Sequence, residues 1–377
     1  MEPKIRFKGF EGEWKTSTIG EIAPLQRGYD LPTNNVISGT IPVVYSNGIL
    51  RFHNEGKCQA PAIITGRSGT IGKFTYIDHG EYWPHNTSLW VTTFHKNYPR
   101  FVYYFFQNVG FEKYATGSGV PTLNRNDIHK HIESIPSNKE EQQAIASYFT
   151  TLDSQISAST SRLASLKQMK AASLQAMFPQ EGETVPKIRF KGFKGEWKKV
   201  KADSIFKTFN EKNRPDLPVL SATQDRGMVT RESIGYNIFH DTSNEATYKH
   251  ILPEQFVIHL RSFQGGFAHS EIEGIASPAY TIIDFKNKDL YHDYYWRYVF
   301  MSKEFIKRLE LITYGIRDGR SISYDEFKEM SFLVPSKEEQ IKIASYLKNL
   351  DRQISLQSQR LEKLKQIKSA CLDKMFV

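Results

Sequence analysis

Along Ser137–Phe178 apolar residues recur at steps of four and three: Ile145, Phe149, Leu152, Ile156, Leu163, Leu166 and Met177. Along Ser336–Phe376 the same rhythm returns as Ile343, Leu347, Leu350, Ile354, Leu361, Leu364 and Met375. This is the a/d seam of a coiled coil, and it predicts two long helices of equal length. Ser159 and Gln357 occupy the same step of the two seams, where a polar residue fixes register at some cost in stability. Both segments open on a Ser followed three residues later by Glu, Ser137 with Glu140 and Ser336 with Glu339. Each follows a proline, as a capping box at a helix start requires. Two separate amphipathic surface helices are the plainer alternative, but they leave two matched seams in one chain unexplained.

Elsewhere the pattern is that of short strands. Ile41–Tyr45 precedes an Asn47–Gly48 turn, Ala62–Thr65 precedes GRSGTIGKF, and Ser88–Thr93 follows. Further on, Gln255–Leu260 precedes RSFQGGFAHS, and Ala279–Ile283 follows Pro278. Helices are expected over Pro99–Asn108 and His292–Met301, with their Tyr and Phe serving as core rather than as platforms for bases.

The chain also repeats itself, but only at its frame. PKIRFKGFEGEW at Pro3–Trp14 returns as PKIRFKGFKGEW at Pro186–Trp197, changed only from Glu11 to Lys194. The junctions and helices, Ile135–Phe178 and Val334–Phe376, form a second matched pair. The interiors, 15–134 and 198–333, show almost no likeness. Two similar containers with different contents suggest one kind of task performed on two targets. Some 40 helical residues span about 60 Å, whereas the connection Pro179–Pro186 reaches at most about 28 Å. The second globular part is therefore expected near the far end of the first helix, with the second helix running back antiparallel. The expected fold is α+β: two β-rich domains joined by two long antiparallel helices with a pseudo-two-fold relation. The expected divisions are 1–136, the helix 137–178, the linker 179–186, the second domain 187–335 and the helix 336–377.

Composition narrows the partners. A charge of +9 over 377 residues favours polyanions, since Lys and Arg release counterions from phosphate backbones. Cys58 and Cys371 form no CxxC pairing, so neither a disulfide framework nor a zinc site is indicated. The opening MEPKIRFKGF lacks the apolar core of a signal peptide, and Phe101–Phe106 is too short to span a bilayer, so a cytoplasmic location is expected.

Catalytic signals do not materialise. Gly66–Phe74 lacks the spacing of a phosphate-binding P-loop and places Phe74 where a Ser or Thr would hold magnesium. Its alternatives are a tight loop bringing Arg67 and Lys73 to a DNA phosphate or groove, or a plain hairpin. Ser277–Tyr280, SPAY, resembles an amino-methyltransferase tetrad, but Ala279 replaces its second proline and no glycine-rich companion accompanies it. His85 with Asn86 is too little for a nuclease site, and the 11 histidines form no ligand spacing. No catalytic residue and no metal site is expected.

The run Gly117–Ile156, followed by a long helix and then repeated, resembles the specificity subunits of Type I restriction-modification enzymes over essentially the whole chain. The second copy departs from the Val120–Pro121 of the first but keeps the junction from IPS or VPS into the helix. The resemblance implies a non-catalytic subunit with two target-recognition domains reading a bipartite, asymmetric site on double-stranded DNA. It implies helices that act as spacer and dock two modification (methyltransferase) subunits, and through the complex the restriction subunits. S-adenosylmethionine, ATP and Mg are then implied only for those partners, and no cofactor for this chain. Loop residues with reach to phosphates or base edges are Arg27, Asn47, Arg67, Ser68, Lys73, Asn86, Asn124 and Arg125 in the first domain. In the second they are Gln224, Arg226, Arg261, Gln264, Arg317, Asp318 and Arg320. Two rival functions remain at this point: a DNA-binding adaptor unrelated to restriction, and a coiled-coil tether that binds no DNA.

Overall fold

The computed structural model describes residues 2–117, 119–223, 226–234, 242–259, 266–312 and 322–377. The chain divides into two compact units, one formed by Met1–Ser161 with Gln359–Val377 and the other by Arg162–Ser358.

The two seams lie on continuous helices, Lys139–Ala176 and Lys337–Met375, with neither Gly nor Pro to interrupt them. Each unit contains a stretch of both. In the first unit Tyr148 meets Cys371, and Asp153 pairs with Lys368 at 2.6 Å. In the second Ser173 meets Tyr346, and Lys170 pairs with Asp351 at 2.5 Å. Numbers that rise along one helix fall along the other, so the stretches run antiparallel within each unit. Ile145, Phe149, Leu152, Leu166, Ile343, Leu347, Leu350 and Leu361 are buried, and Ile156, Leu163, Ile354 and Leu364 are half-buried. Ser159 and Gln357 are buried with them.

The helix starts correct one expectation. Ser336 accepts the Glu339 N–H as expected, but at the first helix Asn138 accepts the Glu141 N–H at 3.1 Å. Asn138 is an extra residue in the first junction, so it occupies the position of Ser336 and displaces Ser137 from the cap. Nor does Glu339 reach back to its own cap. Its carboxylate takes a two-pronged hydrogen bond from Arg189, at 2.7 and 2.8 Å, as Glu141 does from Arg6 at 2.7 and 2.9 Å. The hydrogen bond that each arginine donates to its carboxylate raises the pKa of that arginine above the ordinary value.

In the first unit Lys15–Thr18 pairs with Ile132–Ile135, closing the globular part beside the helix junction. A four-stranded antiparallel sheet follows in the order Leu25–Arg27, Ser88–Val91, Ala62–Gly66, Phe74–Ile77. A second sheet is ordered Gly48–His53, Ile41–Tyr45, Glu81–Pro84, Cys58–Gln59, with its middle pair parallel. The helix Pro99–Val109 buries Phe101, Val102, Tyr104, Phe105 and Phe106 between the first sheet and the long helices.

The second unit repeats the scheme. Lys198–Lys201 pairs with Ser331–Val334, and four antiparallel strands stand in the order Phe206–Phe209, Thr281–Phe285, Phe256–Ile258, Phe267–His269. The helix Asp293–Met301 buries Tyr295, Trp296, Tyr298 and Phe300, so the aromatics of both helices are core. The interiors are therefore alike in fold where their sequences are not. What differs is added to the common sheet: the second sheet of the first unit, and the ribbons Leu220–Thr223/Gly227–Thr230 and Lys249–Ile251/Gly274–Ala276 of the second.

Candidate nucleic-acid interface

In the first unit the loops between strands converge. The Arg67 N–H donates to Thr87 O at 2.8 Å, Leu123 N–H to Arg67 O at 2.7 Å, and Gly69 N–H to Pro121 O at 2.9 Å. Ser68 bridges Thr122. Gly66 is required where the loop leaves its strand, since a Cβ there would lie 1.8 Å from Thr70 O. Gly28 lets the neighbouring loop pass Pro84 and His85, whose carbonyl oxygens a Cβ would meet at 2.4 and 2.2 Å. The Lys73 ammonium donates to Asn47 O at 3.4 Å, joining this loop to the hairpin turn.

These contacts bring together Asn47, Arg67, Ser68, Lys73 and the segment that ends at Asn124. Lys73 and Asn47 are exposed, and Arg67 and Ser68 half-buried. Arg67 Nε is buried with no hydrogen-bond partner. An orphaned donor costs about 1–3 kcal/mol, and an incoming acceptor would satisfy it. Arg27 and Asn86 meet on Asp30: Arg27 pairs with it at 3.2 Å, and the Asn86 amide donates to the same oxygen. Asn124 has a local task, its side chain accepting the Asn126 N–H at 3.0 Å as a helix cap, while Arg125 beside it is exposed. Asp30 was not foreseen from sequence. A carboxylate that can accept from a cytosine amino group sits inside RGYDLP, and only the fold sets it between two expected contacts.

Two histidines of this region are structural. His129 Nε2 accepts the Leu25 N–H at 2.8 Å, and His85 lies 4.1 Å from the Tyr45 ring, centroid to centroid. Burial lowers the pKa of both.

In the second unit Arg226 is exposed at the tip of its ribbon, its N–H donating to Thr223 Oγ1 at 3.2 Å. Gln224, Arg261, Gln264, Arg317, Asp318 and Arg320 lie outside the described residues. The structure adds two cations. Arg231 donates from Nε to Ser221 at 3.3 Å, and its NH1 is buried with no hydrogen-bond partner, as Arg67 Nε is. The Lys249 ammonium donates to Tyr280 O at 2.6 Å, with its pKa lowered by burial and by Lys212. Neither follows from sequence, because each stands within or beside a strand rather than in a glycine-marked loop. Ser277–Tyr280 forms a turn ahead of the strand Thr281–Phe285. Among the described residues no group of His, Cys, Asp and Glu could hold a metal ion, and no helix is long and apolar enough to cross a membrane.

No curated protein matches the chain by sequence. Among solved structures it is similar to the S subunit of a Type-I restriction-modification system from M. genitalium, with a TM-score of 0.69 at 15% identity, covering 100% of this chain and 99% of that one. It is also similar to a chain from a study of complex assembly and conformational transition of the type I R-M system, with a TM-score of 0.51 at 14% identity, covering 97% and 98%. These likenesses establish the fold. The model of the Type I restriction modification DNA specificity domain matches twice, over residues 11–168 and 194–366, and the chain therefore belongs to that family.

Proposed function

We propose that the chain is the non-catalytic specificity subunit of a Type I restriction-modification complex, reading a bipartite and asymmetric DNA site. Residues 1–136 read one half-site and 187–335 the other. Two modification subunits dock on it and carry S-adenosylmethionine, while ATP and Mg serve the restriction subunits, all in the cytoplasm. The observation that carries this reading is the pairing of like with unlike. One frame and one four-stranded sheet hold two different loop sets, each with a half-buried arginine, Arg67 or Arg231, whose buried nitrogen has no hydrogen-bond partner. Phosphate contacts from the exposed cations would set each unit on the duplex, and base edges would complete the orphaned donors.

Methylome sequencing of a host with and without the chain tests this. The expected result is methylation at a two-part motif only in its presence. Exchanging 198–333 for the matching interior of a relative should then alter one half of the motif and leave the other. Methylation that is the same with and without the chain, or a motif altered in both halves, would refute the reading.

A further inference from the structure

The hairpin Ile41–Tyr45/Gly48–His53 belongs to the second sheet of the first unit, and its outer strand, Gly48–His53, stands at the edge of that sheet. Val44 is paired with Ile49 and Val43 with Arg51, so Leu50 is the extra residue of a β-bulge. A bulge leaves its extra residue out of the ladder and re-aims the side chain. Leu50 is 57% exposed, and Ile49 and Phe52 beside it are 43% and 53% exposed. Ile37 extends the patch: it is exposed, and its N–H donates at 3.0 Å to Nδ1 of His53, the last residue of the strand. Large apolar side chains crowded on a sheet edge favour association in water unless something covers them. Among the described residues of 198–333 the exposed large apolar side chains are Ile272 and Leu290, each in a connection between elements.

Position and charge indicate the occupant of this edge. The Lys73 ammonium ties the hairpin turn to the Gly66–Phe74 loop through Asn47 O, so the strand continues the surface that carries Arg67 and its orphaned Nε. The cations of Ser46–His53 and Gly66–Phe74 are Arg51, Arg67 and Lys73, with no carboxylate in either segment. A polyanion matches that charge. Pairing with the same strand of a second copy would instead crowd two arginines onto one short ribbon. The major groove of B-DNA admits a two-stranded ribbon, and the apolar group that its base edges present is the C5-methyl of thymine. Phosphates would engage Arg51 and Lys73 but leave Leu50 and Phe52 in water. Thymine methyls in the groove would cover them.

We propose, resting on the functional reading above, that the strand Gly48–His53 lies in the major groove of the first unit's half-site and that Leu50 and Phe52 read thymine there through its methyl group. The test measures binding of the full chain, with its modification subunits, to duplexes of the methylated motif. In these 2′-deoxyuridine, which lacks only the methyl, replaces thymine in one half-site at a time. The first unit's half-site is the one that exchange of 198–333 leaves unaltered. Affinity should fall there by about fourfold for each methyl removed from an apolar contact. Leu50→Ser/Phe52→Ser, checked for an unchanged melting curve, should bind the thymine duplex about as weakly as the unaltered complex binds the uracil duplex, and should no longer distinguish the two. Leu50→Met, which keeps an apolar side chain, should retain the preference. Equal affinity of the unaltered complex for both duplexes overturns the proposal. So does a double variant that is weakened but keeps the full thymine preference, which would make the strand a wedge or a backbone contact. A double variant that keeps the preference and only loses a dimer in native mass spectrometry also overturns it, by assigning the strand to an interface between copies. If the unaltered complex binds no sequence specifically, the functional reading fails and this inference with it. If binding is specific but indifferent to the methyl, only this inference fails.

Discussion

Leu25–Arg27, Ser88–Val91, Ala62–Gly66 and Phe74–Ile77 of the first unit stand in the same order as Phe206–Phe209, Thr281–Phe285, Phe256–Ile258 and Phe267–His269 of the second. Around this sheet several of the supports match. The Tyr104 hydroxyl donates to Asp153 and the Tyr298 hydroxyl to Asp351, each at 2.8 Å, and a lysine of the opposite helix pairs with each carboxylate. Gln142 accepts the Tyr98 N–H at 2.7 Å and Gln340 the His292 N–H at 3.0 Å, tying the aromatic helix to the junction. The loops beyond the sheet share nothing of this. Selection for a fixed container constrains buried polar contacts, each of which strands a partner when broken, while loop residues in water are free to be exchanged.

The sharpest way to break the comparison is through the carboxylates at the helix starts, Glu141 and Glu339, which are 2% and 1% exposed. Replacing either with Ala leaves a half-buried arginine without its carboxylate, although Gly12 O and Gly195 O still accept from Arg6 and Arg189, and should cost about 3 kcal/mol. The units then part: Trp14 Nε1 also donates to Glu141 at 3.3 Å, whereas Trp197 Nε1 has no hydrogen-bond partner. Glu141→Ala should be worse by about 1 kcal/mol, as read by urea unfolding with peptide-resolved hydrogen exchange. Equal losses would show that the tryptophan bond contributes nothing.

Tyr104→Phe and Tyr298→Phe come next. Burial chiefly raises the pKa of both phenols, which stay protonated and donate to a charged acceptor. Loss of such a bond costs about 1.5–3 kcal/mol, and the two variants should agree. A gap above about 1 kcal/mol between them in the same unfolding assay would end the claim that the locks are equivalent.

The loops should behave in the opposite way. Arg67→Ala and Arg231→Ala should each weaken binding by about 1–3 kcal/mol and relax discrimination in one half-site only, a different half for each. Competition binding against a library of substituted sites reads this directly. A loss uniform over all sequences would make the arginine a phosphate contact.

How much of this was legible beforehand follows from where the signals lie. The long helices were, because the seam of Ile145, Phe149 and Leu152 repeats over the whole element and averages out local ambiguity. The strand Ile41–Tyr45 and its turn were also legible, from apolar residues ending at Asn47–Gly48. The likeness of the two sheets was not. Strands such as Leu25–Arg27 and Phe256–Ile258 have three residues each, too few to carry a period, and different side chains fill equivalent places. The Asn138 cap was hidden because a single inserted residue shifts the frame beside an acceptable Ser. At the interface, residue type pointed to Arg67 and Lys73, but only geometry shows Arg27 and Asn86 engaged on Asp30.

The smallest expected difference separates the starts of the two aromatic helices. Where the first unit has Pro99, the second has Asp293, whose Oδ2 lies 2.8 Å from His269 Nε2. Burial pushes the Asp293 carboxyl up, but hydrogen bonds from His269 and the Tyr294 backbone, with the charges of His269 and His292, together outweigh it, and the net shift is downward. A carboxylate with a depressed folded pKa supplies stability that is present above its unfolded value, about 3.9, and is lost as pH falls through the folded value. The second unit should thus lose an acid-sensitive increment that the first lacks. Both units share the loss from histidines whose pKa burial lowers, His85 and His129 in one and His259 and His292 in the other. Those must gain a proton on unfolding, so their effect sets in as pH drops through about 6.5 in each unit alike. Asp293→Asn should cost about 1 kcal/mol near neutrality, and its deficit against the unaltered chain should close as pH falls through the depressed folded value of Asp293, where the native carboxylate is itself protonated. Hydrogen exchange followed separately in the two units across this range decides it. A deficit that stays constant to the lowest pH would show that the His269 contact works without charge, and an equal acid loss in the first unit would show that Asp293 does not set the two apart.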